Sequence, residues 1–305
     1  MANEYQLIIL GGGPAGLSAG IYAARNKLNT LLIEKAMMGG LAVYAELIEN
    51  YPGFPEGIGG MELGEMMLKQ GEKFGLKTLV AEVQALEINN NQKIVKTDKG
   101  DLTAKAIIVA LGSERINMDV PGEKEFVGRG VSYCATCDAA FFKDKEVAMV
   151  GGGNSAVSEA IELTKFASKV YIIHRREQFR ATPILVEKAK SEPKISFILN
   201  STVDSIEGKD NVENLLLNNV LTKEKSTLPV SGVFVAIGQR PNTDLLKGIV
   251  SLDPGGYIIA NEKMETSVPG IFAAGDIRSN SIRQTITAAG DGAVAAVYAD
   301  RYLGA

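Results

Sequence analysis

The chain has 305 residues, 46% of them hydrophobic, which is enough for two domains that each bury a core. With 32 basic and 36 acidic residues and a net charge of -4, it lacks the basic excess that would hold a nucleic-acid backbone or an anionic membrane, and neither is expected as a partner. Residues 1–5 carry no basic region and residues 6–10 are too short an apolar run for a signal-peptide core, so the expected compartment is the cytoplasm.

Residues 6–10 read as a buried parallel strand and lead into Gly11-Gly12-Gly13-Pro14-Ala15-Gly16. Glycines at the first, third and sixth places permit a tight turn, a close approach of pyrophosphate to the backbone, and close packing of the next helix on the strand. Leu17, Ile21 and Ala24 recur at helical spacing. Residues 30–33 form a second strand, and Glu34 at its end stands where an acid binds the ribose hydroxyls of a dinucleotide. Gly39, Gly40 and the run Glu49-Asn50-Tyr51-Pro52-Gly53 then read as irregular backbone. Residues 61–74 return to helical spacing through Leu63, Met67 and Gln70. Residues 80–88 and 93–97 read as strands with a turn at Asn89-Asn90-Asn91 between them, and residues 106–110 as a buried strand ending in Leu111-Gly112.

After the polar residues 117–122 come the only two cysteines, in Cys134-Ala135-Thr136-Cys137-Asp138. Their spacing allows a readily reduced disulfide, and the adjoining carboxylate can exchange the proton that thiolate chemistry requires. A structural zinc site needs four ligands, and two cysteines with the single His174 do not supply them. Inert core thiols sit poorly beside Thr136 and Asp138. The stretch therefore reads as a redox dithiol.

The first pattern then repeats. Residues 146–150 form a strand, Gly151-Gly152-Gly153-Asn154-Ser155-Ala156 a second glycine turn, Val157, Ile161 and Thr164 a helix, and residues 169–173 a second strand. This unit ends not in an acid but in His174-Arg175-Arg176, with Arg180 beyond. Guanidinium groups suit a ribose 2′-phosphate through forked, charge-assisted contacts, whereas His174 by itself reads as structural. Residues 233–238, which include Ile237 and Gly238, echo residues 107–112, so the chain is a diverged internal duplication. A polar link follows at residues 240–243, then a last buried strand at 271–276 ending in Gly275-Asp276. From Arg283-Gln284-Thr285 onward, Ala288, Ala289, Ala293, Ala295 and Ala296 mark a closely packing helix whose positive N-terminus suits an anionic reduced flavin.

Together these motifs resemble the low-molecular-weight thioredoxin reductases over the whole chain. The resemblance implies an α/β fold of two Rossmann-like dinucleotide-binding domains: a discontinuous FAD domain, residues 1–116 and 245–305, and an inserted NADPH domain, residues 117–244, that carries the dithiol. It implies that FAD is held by Gly11, Gly13, Pro14, Ala15, Gly16, Glu34, Gly40, Asn50, Val83, Gly112, Gly275, Asp276, Arg283, Gln284 and Thr285. NADPH would be held by Gly151, Gly153, Asn154, Ser155, Ala156, His174, Arg175, Arg176, Arg180, Ile237 and Gly238. By the same likeness Cys137 faces the flavin, Cys134 attacks the disulfide of thioredoxin, Asp138 handles protons, no metal takes part, and the protein is a homodimer. Hinges are implied near residues 117–122 and 240–243, because the dithiol and the nicotinamide site share a domain yet must each reach one flavin. Two positions depart from the family: Leu41 where Gln is usual and Leu111 where Thr is usual, each removing a polar contact worth about 1 kcal/mol. A reductase of this fold with another donor or acceptor, such as a ferredoxin-dependent thioredoxin reductase, a dithiol oxidase and a non-catalytic redox sensor remain as alternatives; Arg175, Arg176 and Arg180 favour NADPH.

Overall fold

The computed structural model describes residues 4–45, 47–89 and 92–304. The chain divides into two compact units, Met1–Glu114 with Arg240–Ala305, and Arg115–Gln239.

In the first unit the strands Lys77–Val80, Thr30–Glu34, Glu4–Leu10, Gly100–Val109 and Ile271–Ala273 lie side by side in that order, all parallel. This is the doubly wound order, in which ligands bind beyond the carboxyl ends of the strands. Side chains alternate across the sheet. Leu7, Ile9, Ala106 and Ile108 face a core shared with the helices Pro14–Arg25, Gly60–Lys73 and Thr285–Gly304. Ile8, Leu10, Ile107 and Val109 face the opposite core. All eight are buried, and for the seven Leu, Ile and Val side chains among them burial is worth about 1.5–3 kcal/mol each. The C-terminal helix packs closely on the first one because Gly292 has no Cβ, which would stand 2.0 Å from the Ala15 carbonyl oxygen.

Several boundaries differ from the sequence expectation. Residues 80–88 are not one strand: Lys77–Val80 runs parallel to Thr30–Glu34, and the chain then turns back into Val83–Asn89, antiparallel to Gln92–Thr97. The break lies where the Ala81 N–H is accepted by the Glu34 carbonyl and the Glu82 N–H by the Asp98 carboxylate. In the helix Gly60–Lys73 the buried face is Gly60, Leu63, Gly64, Met67 and Gly71, so Gln70 points outward. Gly40, read as irregular, opens a 3-10 turn, Gly40–Tyr44. The last strand stops at Ala273, and Asp276 stands in a separate 3-10 turn, Gly275–Ile277. Of the turn expected at residues 89–91, Asn90 and Asn91 lie outside the described residues.

The second unit repeats the order with Ile195–Ile198, Lys169–Ile173, Glu146–Val150, Gly232–Val235 and Val131–Ser132, again all parallel. Val147, Met149 and Phe234 face one core, and Ala148, Val150, Val233 and Val235 the other. An antiparallel meander, Ser201–Gly208, Val212–Asn219 and Lys225–Pro229, carries the second core, and no sequence expectation covered it. The fifth position of this sheet is filled by a segment that precedes its glycine turn, whereas in the first unit it is filled by the C-terminal segment. The cysteines follow this fifth strand just as Gly275-Asp276 follows its counterpart.

Candidate redox and dinucleotide sites

Cys134 and Cys137 are joined as a disulfide, with Cα atoms 5.3 Å apart. Cys134 caps the short helix Ala135–Asp138, and the Cys137 N–H donates to the Cys134 sulfur at 3.2 Å. A backbone donor aimed at that sulfur favours its anionic form after reduction. Asp138 accepts a hydrogen bond from the Ser132 hydroxyl at 2.5 Å, and the same hydroxyl accepts the Cys134 N–H at 3.1 Å. Burial pushes the Asp138 carboxyl above the usual carboxylate range, while the Ser132 hydrogen bond and the Arg115 cation oppose the shift. It is therefore an acid that keeps its proton to higher pH than an exposed aspartate. Ser132, almost fully buried, was not foreseen: nothing in its sequence neighbourhood marks a serine whose partner lies six residues on. Glu159 and Glu162 of the helix Asn154–Leu163 approach the other side, accepting from the Ala135 N–H at 3.3 Å and the Thr136 hydroxyl at 3.3 Å.

In the first unit Gly11 has φ +102°, a conformation that suits glycine, and a Cβ there would lie 2.4 Å from the Ala110 carbonyl oxygen. At Gly16 a Cβ would meet the Gly11 carbonyl oxygen at 1.8 Å, so the helix can sit this close to the turn only with glycine. Gly13 is the N-cap, Pro14 occupies the first helical turn with Ala15 buried behind it, and no side chain caps the helix. A Cβ on Gly13 would meet nothing nearer than the Gly40 Cα at 3.8 Å. The first-turn N–H groups thus face room for an anion, which fits the pyrophosphate of a dinucleotide. The Glu34 carboxylate is held by the Gly12 N–H at 2.7 Å and the Ala36 N–H at 3.0 Å, which fixes it at the carboxyl edge of the sheet.

The remaining expected residues fall at the same edge or on its borders. Asn50 donates to the Gln284 side chain at 3.0 Å, Arg283 lies over the Tyr257 ring at 5.1 Å, and Thr285 opens the C-terminal helix. Gly112 follows the strand Gly100–Val109 and its carbonyl accepts the Asn242 N–H at 3.1 Å. Val83 begins its strand, packed against the first unit's core that holds Ile8 and Leu10. The Asp276 carboxylate accepts from the Ser281 hydroxyl at 3.2 Å. The turn that presents it has an anchor the sequence did not reveal: Asp291 takes both the Arg278 Nε at 2.7 Å and its terminal nitrogen at 3.0 Å, plus the Gly275 N–H at 3.1 Å. These residues stand 13 and 16 apart, a spacing without any local periodicity.

In the second unit Gly151, Gly153 and Ala156 reproduce the turn. A Cβ on Gly151 would stand 2.4 Å from the Ala236 carbonyl oxygen and 2.6 Å from the Ala156 Cβ, and one on Gly153 would meet no atom within 4 Å. Asn154 and the exposed Ser155 open the helix, and the Asn154 side chain accepts the Thr182 N–H at 2.8 Å. Ile237 packs on the second core, and the Gly238 carbonyl accepts the Ile116 N–H at 3.1 Å. Arg175, Arg176 and Arg180 are exposed, and among the described residues none is in an ion pair. His174 is 5% exposed, and its ring is used within the protein.

Two doubly wound units, each with a glycine turn open to pyrophosphate, and a disulfide at the carboxyl edge of one sheet define a dinucleotide-dependent disulfide oxidoreductase. The model of the family described as pyridine nucleotide-disulphide oxidoreductase matches residues 5–292. The chain is 45% identical to a thioredoxin reductase of Bacillus subtilis, over 98% of this chain and 95% of that protein. It is 43% identical to a bifunctional thioredoxin reductase/thioredoxin of Mycobacterium leprae, over 98% of this chain and 66% of that one. The solved thioredoxin reductase of Streptococcus pyogenes superimposes with a TM-score of 0.96 at 43% identity, over 100% of this chain and 99% of that one. The chain belongs to the pyridine nucleotide-disulphide oxidoreductase family. It is an oxidoreductase of the family's FAD- and NADPH-using kind, with a redox-active disulfide. No helix among the described residues is long and apolar enough to cross a membrane.

Proposed function

We propose that this protein is a thioredoxin reductase that moves electrons from NADPH through FAD and the Cys134–Cys137 pair to the disulfide of thioredoxin. The observation that carries the proposal is the disulfide itself, with a backbone donor at the Cys134 sulfur and, beside it, an Asp138 carboxyl that burial pushes above the usual carboxylate range. Similarity to thioredoxin reductases over nearly the whole chain supports it, as does the relative whose name joins the reductase to thioredoxin. The first unit, with Gly11–Gly16, Glu34 and the Gly275-Asp276 turn, is the FAD domain. The second, with Gly151–Ala156 and Arg175, Arg176 and Arg180, is the NADPH domain. When bound, NADPH supplies a hydride and FAD passes its two electrons on to the disulfide.

The residues then do the following. Reduction of the disulfide leaves Cys134 as a thiolate under the Cys137 N–H. That sulfur attacks one sulfur of the thioredoxin disulfide, forming a mixed disulfide and expelling the other thioredoxin sulfur as a thiolate. Cys137, as thiolate, attacks Cys134, restores the internal disulfide and releases the second thioredoxin sulfur. Two electrons leave the protein, and two protons reach thioredoxin, one of them held by Asp138 and the other drawn from solvent. The arginines favour NADPH over a protein donor such as ferredoxin, because three solvent-facing cations that have no ion-pair partner among the described residues suit a phosphate.

The active form is a homodimer in the cytoplasm, where two cysteines at this spacing serve catalysis. The exposed Met37, Leu41, Tyr44, Met61 and Met66 of the first unit support self-association. The test is to replace Cys134 or Cys137 by Ser in protein loaded with FAD. Bleaching of the flavin by NADPH should persist in both variants, while reduction of thioredoxin falls to background. Full thioredoxin activity in Cys134→Ser, or a protein that takes up no FAD, would overturn the reading.

A further inference from the structure

His174 sits among residues that invite a phosphate-contacting role, yet its Nε2 and both faces of its ring are already engaged. One side of the ring lies against Gly152: a Cβ on that residue would stand 2.2 Å from His174 Cε1 and 2.3 Å from Nδ1. The other side stacks on Phe179, with centroids 5.1 Å apart and planes 16° apart, and Phe179 in turn meets Phe197 edge-on at 5.6 Å. Nε2 lies 3.2 Å from the Gln178 carbonyl oxygen. A carbonyl can only accept, so Nε2 carries the proton and the neutral tautomer has a bare Nδ1 turned to the glycine. The backbone closes the same loop: the Arg180 and Ala181 N–H groups both donate to the Gly152 carbonyl, at 2.7 and 3.1 Å. Residues 174–181 are therefore folded back onto the glycine turn around a single imidazole.

We propose that His174 is a positioning residue for nucleotide selection: its ring, wedged between Gly152 and Phe179, sets the register of the loop whose three arginines alone receive the 2′-phosphate. The proposal rests on the NADPH reading given above. Burial holds the imidazole below its ordinary titration range, and Arg180, Arg175 and Arg176 push it the same way, against the opposing Gln178 hydrogen bond. These arginines are the charged groups that face it. The glycine turn, and the strand Ile195–Ile198 behind Phe179, bring no titratable side chain. The ring thus works as a neutral flat spacer with one directed N–H, and phosphate charge is met by guanidinium groups.

His174 is the only histidine of the chain, so its imidazole nuclei can be followed alone in the complete, FAD-loaded protein. The experiment is a pH titration of those resonances, free and saturated with NADP+, together with dissociation constants for NADP+ and NAD+ in the parent, His174→Gln and Phe179→Leu. The expected result is an imidazole that stays neutral through the ordinary histidine range whether or not NADP+ is bound. Phe179→Leu, which leaves the imidazole in place but removes its stacking partner, should lose most of the NADP+ preference. His174→Gln, which retains a side-chain N–H donor without the ring, should lose it too. An imidazole that becomes protonated when NADP+ binds, or a Phe179→Leu protein that keeps the parent's ratio of the two constants, overturns the proposal. A parent that binds NADP+ and NAD+ equally well would instead overturn the NADPH reading on which it rests.

Discussion

Removing Asp291 is the most direct test of how the first unit presents Asp276. Its carboxylate receives both ends of the Arg278 guanidinium and the Gly275 N–H, and the two side chains are only 13% and 19% exposed. Gly275 itself has φ +79°, and a Cβ there would stand 3.0 Å from the Ala15 Cβ, so the turn tolerates little displacement. Asp291→Ala leaves a largely desolvated guanidinium and a backbone donor without their acceptor. Stranding one partner of a fully buried pair costs about 3–5 kcal/mol, and the residual exposure lowers this to about 2–3 kcal/mol. Replacing both partners, Arg278→Met with Asp291→Leu, strands no charge and should recover about half or more of that loss. The assay is urea unfolding followed by circular dichroism at constant slope, paired with the FAD dissociation constant, where each 1.4 kcal/mol reads as about tenfold. A loss below about 0.5 kcal/mol in Asp291→Ala, or a double variant no more stable than the single one, refutes the reasoning.

Replacing Arg175 and Arg176 together by Ala should weaken NADPH by about 1–3 kcal/mol while leaving NADH nearly unchanged, measured by equilibrium titration; equal weakening of both would assign the arginines to domain stability. Ser132→Ala should destabilise the protein more at pH 7 than at pH 4, by about 1 kcal/mol. The sign follows from Asp138, whose folded pKa lies above its unfolded value: stability is complete below the unfolded pKa and falls as pH rises through the folded one. Loss of the Ser132 donor raises the folded value further and deepens that fall. A pH-independent difference between variant and parent would mean that only the Cys134 N–H has lost its acceptor.

Both glycine turns, the acid and the arginines that end their second strands, the redox pair and the duplicated α/β plan were legible in the sequence. Each rests on chemistry confined to a few consecutive residues. An apolar run entering glycines forces a turn with free N–H groups, and a two-residue gap brings two sulfurs together, whatever the rest of the chain does. What only the tertiary structure decided are pairings across distance. Ser132 reaches Asp138 because the edge strand Val131–Ser132 ends against a short helix. Asp291 reaches Arg278 and Gly275 because the C-terminal helix packs through Gly292 onto the first helix. His174, at the head of a basic run, is turned inward because Gly152 leaves room for its ring and Phe179 covers it. Such partners are chosen by where strands end and how closely helices pack, and a linear pattern carries no record of either.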